Sequence, residues 1–157
     1  MLKKDNKAIS ALIATVLLIL ITIAGVAIIA GAVIPMITKI TQSGQACTSA
    51  RLNIDTSAGF TCLNSTGVNV NIVRGPEDFD LAAIQLIILD DTGTTKEIVM
   101  SDASKFPGIN GGRVYTILKS GNWTGNATEV RVAPIVKVGN TKTTCDISAK
   151  VSIPICA

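Results

Sequence analysis

The chain has 157 residues, a charged fraction of 16%, a formal net charge of +3 and no histidine. Without imidazole there can be no His-based triad, no histidine metal ligand and no histidine general base. Lys3, Lys4 and Lys7 against Asp5 contribute +2 of the charge, so the remainder leaves no basic footprint for nucleic acid.

Behind the leader Met1–Lys7 lies Ala8–Thr38, a run of 31 residues without one charge. As a helix rising about 1.5 Å per residue it would measure roughly 46 Å, against a hydrocarbon core of about 30 Å. A secretory signal peptide carries an apolar stretch of about 7–15 residues, so this run is about twice too long for one. A single-pass anchor fits with some tilt. A stem that first sits in the membrane and later packs against copies of itself fits too, and it explains the surplus length. Three lysines precede the run, and only Lys39 and Arg51 follow closely. The basic end is therefore expected in the cytoplasm and residues 44–157 outside.

The absence of proline before Pro35 and the Leu17–Leu20 stretch predict a helix from about residue 9 to 42, with a kink or loosened turn near Ile34–Pro35. Ala24, Gly25, Ala27 and Gly31 form a small-residue strip where helix backbones could approach closely. The general abundance of Ala and Gly in membrane helices explains the strip equally well. Ser43-Gly44-Gln45 reads as the helix stop and a short hinge.

Beyond the stem the period becomes two. Leu52 and Ile54; Val68, Val70 and Ile72; Ile98 and Met100; Val114, Thr116 and Leu118; Val130 and Val132; and Ile147, Ala149, Val151 and Ile153 alternate with their neighbours. Leu81–Leu89 is more continuously apolar, as a strand covered on both faces would be. Turn signals such as Asp91-Thr92-Gly93, Asn110-Gly111-Gly112 and Gly139-Asn140 separate these runs. Six or seven short strands in about 110 residues predict an antiparallel β-sandwich of immunoglobulin-like architecture without helices. The chain as a whole then reads as α+β: a basic leader 1–8, a hydrophobic stem 9–43 and a β-domain 44–157.

Cys47, Cys62, Cys145 and Cys156 all fall in the portion expected outside, which suits two disulfides in an oxidising setting. Of three possible connectivities, the local pairs Cys47–Cys62 and Cys145–Cys156 are favoured because each closes a loop of about 11–16 residues. Free thiols filling the core are the alternative. A zinc site is disfavoured by the wide spacings and the missing histidine. Asn64-Ser-Thr, Asn122-Trp-Thr and Asn126-Ala-Thr are sequons in turn-like contexts and candidate glycosylation sites.

Nothing else carries chemistry. Glu77, Asp78, Asp80, Asp90 and Asp91 are the densest carboxylates, but they lack the alternating pattern and closing Glu of a calcium loop and read as surface turns. Asn110-Gly111-Gly112 lacks the Lys-Ser/Thr of a phosphate loop. Trp123 could anchor a partner or cap the sandwich, and the few aromatics make no stacking platform. No metal, cofactor or enzymatic activity is expected.

The string Lys7-Ala8-Ile9-Ser10-Ala11-Leu12-Ile13-Ala14, with the long Leu/Ile/Val/Ala stem behind it, resembles the N-terminus of archaeal type IV pilins. The resemblance covers about the first 40 residues; Ala11 and Ala14 stand where many relatives have Pro and Gly. It implies a membrane prepilin peptidase that cuts between Ala8 and Ile9 behind Lys7, with a cut after Asp5 or Asn6 as the alternative. It also implies an assembly ATPase and platform protein acting indirectly, and a homo-oligomeric helical filament in which Gly25, Ala27 and Gly31 help pack stem against stem. Adhesion is the function expected. The stem lacks the Thr-Gly-Ile-Gly stretch typical of archaellins, so a motility filament ranks lower; a minor, tip-forming pilin would share the same cut. A membrane-anchored surface binding module that keeps its leader is the reading from a different class.

Overall fold

The computed structural model describes residues 6–119 and 125–156, with side chains from Leu12 onward. The chain divides into two units, Met1–Gln42 and Ser43–Ala157.

Helix α1, Asn6–Ile28, runs into a π-helical turn, Ile29–Val33, and then into α2, Ile34–Ser49. The π turn lies directly before Pro35. A proline has no N–H to donate and its ring crowds the carbonyl one turn back. The chain answers by widening: the Ile34 N–H reaches the Ile29 carbonyl, one residue further back than in an α-helix. This is the loosened turn expected there.

The expected stop at Ser43–Gln45 is corrected. Gly44 is not among the glycines with positive φ, and α2 continues through it to Ser49. A helical glycine costs only about 1 kcal/mol relative to alanine. Against this, the next turn packs Ala46 and Cys47 on the core of the second unit. Tertiary burial outweighs the local preference.

Among its described residues the second unit holds nine strands in two antiparallel sheets. In the first sheet β3 (Gly67–Arg74) is central, with β6 (Gly112–Leu118) along one side and β1 (Leu52–Asp55) and β2 (Cys62–Leu63) sharing the other. In the second, β4 (Leu81–Asp90) lies between β5 (Thr95–Met100) and the long β7 (Ala127–Val138). The far side of β7 is shared by β8 (Thr141–Thr144) and β9 (Ala149–Ser152). The count exceeds six or seven because two long strands each take two short partners end to end. A 3-10 turn, Ala103–Lys105, is a helical piece within this β-region that periodicity did not predict.

The sheets face each other across Leu52, Val70, Ile72, Leu86, Val130 and Val132, none of which exposes any surface. One side of the pair is fastened. Leu63 bridges Ile155 in parallel, and the Ser148 hydroxyl donates to the Leu52 carbonyl and accepts from the Leu52 N–H. The result is a curled half-barrel.

Most apolar faces follow the predicted alternation, and β6 does not. Tyr115 and Ile117 point into the core, while Val114, Thr116 and Leu118 are exposed. In β4 the inward residues are buried and Ala82, Gln85, Ile87 and Leu89 on the other face are half-buried, which accounts for its continuous apolarity.

Candidate functional site

The largest feature open to a partner is the stem. Among the described residues one helix, Leu12–Ser49, is long and apolar enough to cross a membrane. From Leu12 to Ile40 its large aliphatic side chains expose between 41% and 70% of their surface, and they do so around the whole circumference. Soluble proteins rarely leave so large a contiguous apolar surface in water, so it requires lipid or protein around it.

Three of its hydroxyls are paired within the helix. Thr15 Oγ1 donates to the Leu12 carbonyl at 2.8 Å, Thr22 Oγ1 to that of Ile19 at 2.8 Å, and Thr38 Oγ1 to that of Ile34 at 2.9 Å. A hydroxyl satisfied in this way escapes most of the penalty of leaving water. Beyond the local helix backbone, Gly25 and Gly31 have no atom within 4 Å of where a Cβ would stand. Nothing inside the chain therefore demands glycine at either position. The backbone of Lys7, Ala8 and Ile9 lies in the first turns of α1, and their side chains fall outside the described residues, as do Lys3 and Lys4.

All four cysteines are oxidised, but not in the local pairs. Cys47, in the last turn of α2, bonds Cys145 across 98 residues, and Cys62, in β2, bonds Cys156 across 94. The reason is the register of the sheets. The last segments return beside the first strands, with the Cys156 N–H donating to the Leu63 carbonyl and the Leu52 N–H to the Ser148 hydroxyl, so sequence neighbours are not the spatial ones.

Two of the three sequons are described. Asn64 is half-buried, its Oδ1 accepting from the N–H and hydroxyl of Thr66 and from the Gly67 N–H. Asn126 is exposed, with its N–H and Nδ2 donating to the Asp91 carboxylate and its Oδ1 accepting from Lys119. The two asparagines stand on one groove of about 580 Å³ whose apolar wall includes Leu63, Ile153 and Ile155. Asn122 and Trp123 lie outside the described residues.

The carboxylates serve turns. Asp90, which closes β4, accepts through Oδ1 from the Thr92 hydroxyl and from the N–H groups of Thr92 and Thr94, and Gly93 in that turn takes φ 81°. The Thr92 hydroxyl, with the two N–H groups, holds the Asp90 carboxyl below its ordinary range against the opposing effect of burial. Ser57 does the same for Asp55, and Ser104 chiefly for Asp102. Asp91 and Asp90 together occupy the space a Cβ on Gly125 would need, which explains a glycine there. Asp78 reaches Arg74 at 3.6 Å, and the Arg74 guanidinium lies 4.2 Å over the Phe79 ring. Among the described residues no three potential metal ligands gather.

Sequence reasoning missed Ser148 and Thr61. Thr61, wholly buried, donates to the Asp55 carbonyl and accepts from the Asn71 N–H, fixing the loop before β2. Neither residue has a sequence signal, since each acts through a backbone group brought close only by the fold. No family model, curated protein or solved structure matches this chain.

Proposed function

We propose that this chain is a structural subunit of an archaeal type IV pilus-like extracellular filament that serves surface adhesion. In this reading a prepilin peptidase cuts between Ala8 and Ile9 behind Lys7. Trimmed stems leave the membrane and bundle into a core, and the β-heads, immunoglobulin-like in general architecture, form the outer shell. Gly25, Ala27 and Gly31 let neighbouring stems approach closely, and an assembly ATPase with its platform protein drives the transfer indirectly.

The observation that carries the reading is the stem's uncharged apolar run, exposed on every side and longer than one bilayer crossing requires. Lipid and a bundle of apolar helices solvate such a surface about equally, so transfer between them gains little and packing must give it direction. Return to water is another matter. At about 1.5–3 kcal/mol for each large aliphatic side chain, it would cost tens of kcal/mol, so subunits should almost never detach.

Mass spectrometry of the mature N-terminus in sheared surface filaments tests this. A start at Ile9 is expected; an intact Met1 or Leu2 would overturn it in favour of the second reading, a single-pass anchored surface binding module. That second reading draws on the same helix, which also meets the length of one membrane span.

A further inference from the structure

The two disulfides cross. Cys47 pairs forward to Cys145, and Cys62, inside that loop, pairs to Cys156 outside it. Crossing has a consequence that local pairing lacks. A cut between Cys47 and Cys62 leaves the pieces joined by Cys47–Cys145, and a cut between Cys145 and Cys156 leaves them joined by Cys62–Cys156. A cut anywhere between Cys62 and Cys145 leaves them joined twice. Since Cys47 sits on the stem helix itself, we propose that the crossed bridges make the head cleavage-tolerant: any single break between Cys47 and Cys156 leaves every piece covalently attached to the stem.

The head offers such breaks to an extracellular endopeptidase. Thr56–Phe60, Asp91–Thr94 and Ser101–Lys105 are exposed runs outside the regular strands, and exposed loop tips are where nicking concentrates. Under local pairing, a nick at Asp91–Thr94 would leave everything beyond it without a covalent link to the stem. With crossed bridges the nicked sheets also stay in register, because β4 remains between β5 and β7 and no piece can diffuse away. Tension is rerouted similarly. Pulling the stem against the C-terminal tail passes through Cys47–Cys145 and bypasses 98 residues, a chain length of roughly 340 Å at about 3.5 Å per residue.

The proposal depends on the head lying outside, as in the reading above, only for its biological meaning. The test reads the bridges alone and does not involve assembly, so its failure would leave the filament reading standing. A protease recognition site is inserted at Asp91–Gly93 in the full chain, which is purified oxidised, cut, and run on denaturing gels with and without reductant. Full mass without reductant and two fragments with it are expected; two fragments without reductant would overturn the proposal. A second variant with sites in Thr56–Phe60 and at Asp146–Ile147 separates crossed from nested pairing. Crossed bridges retain all three pieces, whereas release of the middle piece without reductant would show nesting and reject the assignment. In a Cys47→Ser/Cys145→Ser chain the cut in Thr56–Phe60 alone should free the head from the stem. Continued attachment there would equally reject it.

Discussion

The stem and the head solve the same problem, the disposal of apolar surface, in opposite ways. The head turns Leu52, Ile84, Leu86 and Val132 inward between two sheets and leaves them no exposure. The stem pairs the hydroxyls of Thr15, Thr22 and Thr38 internally and leaves Leu17, Ile21, Val26 and Ile37 all more than half exposed. The head is complete as a single copy. The stem's apolar surface is covered only when something else surrounds it.

The strongest challenge to this contrast is to fix the stem in its first surroundings. Ala8→Glu should abolish processing and filaments while leaving membrane insertion intact, read by immunoblot of membranes beside microscopy of sheared material. Normal filaments from this variant would contradict the assigned cut. In the head, Leu86→Ala should cost about 2–5 kcal/mol in urea unfolding, because a buried side chain leaves a cavity that sheets close only in part. Filament loss should follow only as far as the head unfolds. A smaller change, Gly31→Leu, sharpens the comparison from the stem side. The site has room within the single chain, so insertion should persist while filament yield falls several-fold, about what 1 kcal/mol of lost packing implies. Equal effects on both would make the small-residue strip incidental.

The smallest effect concerns pH. The Asp90 carboxyl is held low in the folded head, so it stabilises the fold above the unfolded carboxyl value of about 3.9 and loses that contribution as pH falls through its folded value. Asp55 and Asp102 act in the same direction. Thermal melts should therefore fall on acidification below about pH 4, and Asp90→Asn should make that fall shallower while lowering stability at neutral pH. An unchanged acid limb would assign it to the other two carboxylates.

The stem was legible in the sequence because its signal is local. A charge-free run needs no partner to be recognised, and Pro35 announces its own loosened turn. Most strands were legible for the same reason, as with Val68, Val70 and Ile72. What escaped was whatever depends on residues distant along the chain. Gly44 reads as a helix end until Ala46 and Cys47 are seen to dock. In β6, Val114, Thr116 and Leu118 alternate as well as Tyr115 and Ile117, and only pairing with β3 decides which set is covered. Two disulfides were legible from the even count of cysteines, yet the partners lie nearly a hundred residues apart.

The half-barrel is fastened along the side of β1 and β2, and β5 and β6 are outer strands of their sheets. Wherever many heads crowd together, such margins invite neighbour to zip onto neighbour. Here β5 bears Lys96 in register with the buried Ile88, and Glu97 on its opposite face. Arg113 and Tyr115 hold the 102–106 turn against β6. The charges of Lys96 and Glu97, which an intruding strand would have to desolvate, oppose such zipping along β5.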